Sequence, residues 1–360
     1  MRLNHAPRRG RRHTPGMAVE KAQFLRIAVA GDVMLGRTVA EMTTARGFGY
    51  PWGDMLPFFG EADLFLVNLE CALTRAKEPW RDGRFKAFYF RAEPEAVESL
   101  RLAGVDFACL ANNHAADFGM EGLLETARVL DEAGIAHAGA GADAEAASAP
   151  AWLEAGGVRV GITAFADHPE EWAAAPGKPG INYIPISTNE AVMHRVEEAL
   201  RAARQNADFV VFTIHWGPNM RSRPTAAFRD FARAVVSAGA DLFWGHSAHL
   251  VQGIEFWKGK PILYDAGDLV DDYAVDSELR NDLSALFRIT NRPPQVVSVE
   301  AVPVAIGDMR VNLARGTQRA RFLRHLTALC SEMNTRVAQQ ESGPALTLSP
   351  FSASEASRAS

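Results

Sequence analysis

The stretch LANNHAADFG, residues 110–119, leaves a short apolar run and at once presents two amides, an imidazole and a carboxylate. Asn and Asp alone would read as turn chemistry, but the pattern recurs along the chain. Apolar runs end in Asp32, Glu70, Asn113 with His114, Asp167, His215 and His246, and His249 follows shortly after the last of these. Asp32 and Glu70 supply hard carboxylate oxygens. Asn112 or Asn113 supplies a neutral amide oxygen, and His114, His215, His246 and His249 supply imidazole nitrogens. A mixed nitrogen and oxygen donor set suits Mn, Fe, Zn or a similar divalent ion, one or two of them, and does not suit a thiolate site. Two such ions about 3.5–4 Å apart clamp an in-line displacement and activate a water.

Elements must bring these residues together, and the chain reads as alternating strands and helices. Strands are expected at 24–31, 63–70, 105–113, 157–167 and 208–217, with short ones at 241–249, 251–257 and 260–268. Helices are expected at 93–104 and 119–134, each closed by Gly, at 188–207 behind a Thr188 or Asn189 cap, and at 223–240 with Pro at its entry. The segments 284–290 and 294–306 alternate in polarity as an antiparallel pair would, and a last helix is expected over about 317–338. Ligands in open α/β sheets bind beyond the carboxyl ends of the strands. Polar residues at six strand ends therefore imply one site along one edge.

Composition is that of an ordinary globular protein: 360 residues, 48% hydrophobic, 22% charged, net charge −5. The mild acidity gives no reason to expect a nucleic-acid partner. Three Cys without a CxxC make a disulfide framework unlikely and suit a reducing compartment. RRGRR in the first residues has no apolar core behind it, so no secretory signal is expected, and no run reaches the length of a membrane span. The expectation is a cytoplasmic protein with a disordered basic arm over 1–23, its start at Met1 or Met17. One domain is expected over 24–338, followed by a disordered Ser/Ala-rich tail over 339–360.

The ordered set GDVMLGR (31–37), NLE (68–70), NNH (112–114), HWG (215–217) and GHSAH (245–249) resembles the capsule-synthesis CapA/PgsA family, associated with poly-γ-glutamate biosynthesis and related to calcineurin-like metallophosphoesterases. The resemblance spans about residues 25–290. It implies an α/β fold of two β-sheets packed face to face and flanked by helices, a metallophosphoesterase-like four-layer sandwich with the site at the common loop edge. It implies Asp32, Glu70, Asn113, His215, His246 and His249 as metal ligands, and His114 as the catalytic residue acting on the leaving group. Arg37, Asn112, Trp216 and Asp268 are the candidate substrate contacts. Arg37 holds a carboxylate or phosphate, or pairs with a structural acid. Asn112 also reads as a turn residue, Trp216 as pocket wall or core, and Asp268 as substrate-orienting or turn chemistry.

The resemblance thus implies a metal-dependent hydrolase of phosphoester or related bonds in capsule or cell-envelope polymer synthesis, acting on an anionic small molecule or polymer. The alternative is a non-catalytic accessory protein that binds an anionic polymer or organises a synthase. Departures bear on that choice. Met34 stands where the phosphoesterase pattern has a His, and is a poor ligand for a hard ion. GHSAH is one residue longer than Gly-His-x-His. His5, His13, His137, His168, His194 and His325 lack a motif context and read as surface or packing histidines.

Overall fold

The computed structural model of the protein describes residues 24–81, 83 and 85–352. The expected arm at 1–23 and the end of the expected tail, 353–360, lie outside the described residues. Along the chain run β1 (Leu25–Val33), α1 (Arg37–Arg46), β2 (Leu64–Leu69), α2 (Val97–Ala103), β3 (Phe107–Cys109), α3 (Gly119–Ala133), β4 (Ala136–Ala138), β5 (Ala151–Ala155) and β6 (Val158–Ala166). Then come α4 (Glu190–Arg204), β7 (Phe209–His215), α5 (Ala226–Ala238), β8 (Leu242–His246), β9 (Ile254–Trp257), β10 (Lys260–Leu263), β11 (Asp268–Val270), β12 (Leu283–Arg292), β13 (Gln295–Gly307), β14 (Arg310–Leu313), α6 (Gly316–Ser331), β15 (Thr335–Gln339) and β16 (Leu346–Pro350), with shorter pieces between.

Two large sheets result. The first has the order β15-β16-β13-β12-β1-β2-β3-β4, with β11 also on β1 and β14 on β13; the second has the order β9-β10-β8-β7-β6-β5. The β1–β2–β3–β4 run is parallel, as is β6–β7–β8–β10, whereas β12 and β13 pair antiparallel as their alternation implies.

Strand alternation sorts the second sheet's side chains. Phe209 and Val211 of β7, and Leu242 and Trp244 of β8, enter the core shared with the first sheet. Val210, Phe212, Ile214 and Phe243 face the other way, into a separate core beneath α4 and α5. The helix ends follow the expected chemistry. Asn189 and Thr225 side chains accept the Val192 and Phe228 amides, and Gly104 and Gly134 close α2 and α3 in the left-handed conformation.

The C-terminal segment departs from the sequence reading. The last helix ends at Ser331, not near 338, and Asn334 at φ 57° turns the chain into β15. Residues 346–350, expected in the disordered tail, form β16 and pair with β13 and β15. The Ser-rich composition hides an alternation in which Leu346 and Leu348 are buried between polar residues.

Candidate metal centre

Strand register assembles the centre. Asp32 lies opposite both Asn68 of β2 and Asp268 of β11, and His215 lies opposite His246. By alternation His215 continues the Phe209–Val211–Thr213 row and His246 the Leu242–Trp244 row, so both imidazoles face the first sheet. Two Gly-Asp pairs approach backbone to backbone. The Asp32 amide donates to the Gly267 carbonyl at 2.9 Å, and a Cβ on Gly31 would lie 1.6 Å from that oxygen. Only Gly fits at position 31.

Two donor groups share Asp32: Asp32, His215 and His246 in one, and Asp32, Glu70, His249 and Asp268 in the other, with the donor atoms of each within 4.8 Å of one another. His215 Nδ1 is 3.0 Å from His246 Nδ1 and 3.9 Å from Asp32 Oδ1, and His215 Nε2 is 3.8 Å from Glu70 Oε1. His249 Nδ1 lies 2.8 Å from Asp268 Oδ1 and 3.4 Å from Asp32 Oδ2. His249 reaches this place through a contorted loop, with Ser247 at φ 118° and His249 itself at φ 58°. Asp265 ties the loop down, its carboxylate accepting the Ala248 and Gly267 amides.

The electrostatics are compatible with a bound cation. Asp32, Glu70, Asp265, Asp268 and Asp271 are buried, and among the described residues none of them pairs with Lys or Arg. Asp32 Oδ2, Glu70 Oε1, His215 Nε2, Asp268 Oδ2 and Asp271 Oδ2 are buried without a hydrogen-bond partner. Buried charges of this kind are costly unless paired or bound to a metal. Burial, then the Asp32 charge, pushes Glu70 well above the carboxylate range, and burial first also raises Asp265, Asp268 and Asp271. Burial pulls His246 down to about 4, and burial together with the facing His246 pulls His215 well down. At His249 burial acts downward too, but the Asp268 and Glu70 charges outweigh it and hold the imidazole well above its ordinary value.

The residues singled out from the sequence divide. Asp32, Glu70, His215, His246 and His249 come together. His114 stands at the rim, Nε2 4.0 Å from Glu70 Oε1 and Nδ1 2.6 Å from Asp117. Asn113 has its Oδ1 buried without a partner. Asp268, expected to face substrate, instead sits inside the donor cluster at 1% exposure.

Asn112 braces a corner, in line with its reading as a turn residue: its amide donates to Asn68 and the Leu69 carbonyl and accepts the His114 amide. Trp216 is core, not pocket wall, its indole N–H on the Tyr264 carbonyl and its ring among Phe228, Phe231 and Phe243. Arg37 pairs with Asp272 and lies over Phe88 and Phe90. Met34 is buried, its sulfur accepting the Gly36 amide. His168, read as a surface or packing residue, packs its ring 5.4 Å from that of His215 and bonds Asp167.

Sequence reasoning missed the residues that hold the ligands. Asn68 donates to Asp32 Oδ1 at 2.7 Å, Thr213 lies 3.1 Å from His246 Nε2, and the Tyr273 hydroxyl donates to Glu70 Oε2 at 3.1 Å. Asn68 and Thr213 were detectable, because each precedes a ligand by two residues on the same strand face. Tyr273, 203 residues from Glu70, carried no such signal.

The family described as "Bacterial capsule synthesis protein PGA_cap" matches residues 26–273. A Mycobacterium tuberculosis (strain ATCC 25618 / H37Rv) protein named a probable polyglutamine synthesis accessory protein is 31% identical over 318 residues, 84% of this chain and 82% of its own. The capsule biosynthesis protein CapA of Bacillus anthracis is 28% identical over 284 residues, 78% of this chain and 67% of that one. The PGA biosynthesis protein CapA of Bacillus subtilis (strain 168) is 28% identical over 265 residues, 73% of this chain and 67% of its own.

Proposed function

The chain belongs to the bacterial capsule synthesis protein family PGA_cap, and from that premise we propose that it serves capsule or polyglutamate-type polymer synthesis as a metal-dependent hydrolase of a phosphoester or related bond in an anionic substrate. One observation carries the reading: two buried donor groups share Asp32, and among the described residues their carboxylates have no Lys or Arg partner and four donor atoms are unpartnered. Asp32, His215 and His246 would hold one divalent ion, and Asp32, Glu70, His249 and Asp268 a second, with Asn113 the amide ligand its motif position implies. Bound ions would supply Lewis acidity and lower the pKa of water.

The chain's own residues do the rest. Burial draws His114 down to about 4, against the pull of Asp117, so the ring is neutral near pH 7. Asp117 takes its Nδ1–H, which leaves Nε2 to accept a proton from water and return it to the leaving oxygen. The buried walls keep bulk water from the reacting bond.

A second reading, a non-catalytic accessory protein that binds an anionic polymer, is favoured by Met34, which puts a core sulfur where an imidazole ligand would stand.

Elemental mass spectrometry on protein purified without chelators tests the reading, with Asp32→Ala and His215→Ala alongside. Near-stoichiometric Mn, Fe or Zn is expected in the wild type and is lost in both variants, with metal-dependent cleavage of a nitrophenyl phosphodiester following the metal. Absence of metal after reconstitution with each ion overturns the hydrolase. Metal without cleavage of any phosphoester favours the accessory binder.

A further inference from the structure

The centre is closed. Asp32, Glu70, His215, His246, His249 and Asp268 are each at most 7% exposed, so nothing larger than water reaches them in this state. Two aromatic rings form the cover. Phe90 stacks on His114 with centroids 3.9 Å apart, Tyr273 meets His249 edge-on at 5.0 Å, and the two rings lie 5.6 Å from each other. Tyr273 is also tied to Glu70. Phe90 belongs to a stretch with no helix or strand of its own over residues 85–90. Phe85 and Phe88 in that stretch are 93% and 57% exposed, so its apolar packing rests mainly on Phe90, which is 2% exposed.

The Phe90 carbonyl accepts the Ala72 amide at 3.1 Å, and the polar anchor of the rest is Asp117, which is fully buried. Its Oδ1 accepts the Lys86 ammonium, and its Oδ2 accepts both the Phe90 amide at 2.6 Å and His114 Nδ1 at 2.6 Å. The ammonium also bonds the Asn113 carbonyl and lies 4.5 Å above the centre of the Trp172 ring. One carboxylate therefore anchors the cover and orients His114.

We propose that residues 85–90 are a lid over the metal centre and that Lys86, latched to Asp117, is the residue that keeps it shut and positions His114. With the lid down, Asp117 is paired with Lys86 and His114 is fixed beneath Phe90. With the lid up, the Phe90 amide and the ammonium leave Asp117 together, so His114 loses its stacking partner as the cluster opens. Binding and proton transfer are thereby tied to one movement, the role lids play when they shut water out of a reaction. The cover and latch are facts of packing; only their purpose rests on the metal-centre reading.

The test uses Lys86→Met, which keeps an unbranched side chain over Trp172, and Phe90→Ala, which removes the roof and spares the latch. Amide hydrogen exchange is followed over residues 85–92, with β1 as the internal standard, and loss of bound Mn or Zn to EDTA is followed by stopped flow. In Lys86→Met the segment is expected to exchange about tenfold faster, the scale of one lost charge-assisted hydrogen bond, with β1 unchanged. EDTA is expected to strip the metal faster by a similar factor. Phe90→Ala is expected to speed metal loss while the amide at 90 keeps its protection. Equal exchange in wild type and Lys86→Met, or faster exchange spread evenly into β1, overturns the latch. Unchanged metal loss in both variants overturns the lid. If the wild type takes up no ion, the metal-centre reading falls and the exchange result alone decides the latch.

Discussion

The two donor groups that meet at Asp32 are built differently. The imidazole group belongs to regular structure. Asp32, His215 and His246 stand at the ends of parallel strands; ladder register fixes the His215–His246 pair, and the packing of one sheet on the other brings Asp32 against it. The carboxylate group adds residues at strand edges and in a loop to the shared Asp32, which β11 pairs with Asp268. Glu70 is one residue past β2, His249 sits in a loop with two left-handed residues, and Asp268 follows Gly267 at φ 71°. Their proton affinities diverge in the same way. Burial leaves His215 and His246 neutral and ready to donate, whereas Glu70 and Asp268 are pushed up and His249 is held up by their charges. One half offers bare ligands, and the other shares protons that an ion has to displace.

Removing the supports of each half separately gives the largest contrast. Thr213→Val takes the hydroxyl from His246, and Tyr273→Phe takes the hydroxyl from Glu70. Partners of this kind typically matter by about 10–100-fold in metal affinity. Metal titration is expected to show each loss confined to its own half; an equal loss in both halves from either variant would mean that the two groups act as one.

A second contrast lies in pH. Below their raised values Glu70, Asp268 and His249 carry protons that metal expels, so affinity at that half rises with pH and proton release falls once those values are passed. The rise is up to about tenfold per pH unit for each proton displaced. The imidazole half changes little near pH 7, far above the value of about 4 to which burial lowers His246. Calorimetry in two buffers of different ionisation enthalpy counts the protons for each event; equal release in both would erase the distinction.

The smallest effect is expected from Asp265→Asn. The amide cannot accept from both Ala248 and Gly267, which costs about 1.5 kcal/mol of stability in urea unfolding. The carboxylate half is expected to weaken with it and the imidazole half to hold. A variant as stable as the wild type would mean that the loop needs no such tie.

The primary sequence already determined the strand endings and their donors, because period-two burial and the polar residue that ends each run are local properties. GD, NLE, HWG and GHSAH marked five of the six residues in the two donor groups, and the α4 cap was legible from Asn189. Composition misled at 346–350, where Ser and Pro conceal a strand whose burial depends on β13. Trp216 and Asn112 each carried two readings, because facing a substrate and filling a core ask for similar side chains until the packing is known. Only the tertiary structure decided that Asp268 joins the ligands, that Tyr273 reaches Glu70, and that Lys86 and Phe90 meet His114 through Asp117. Those contacts join segments far apart in the chain, and their chemistry exists only where two sheets and the loops above them converge on one buried cluster of charge.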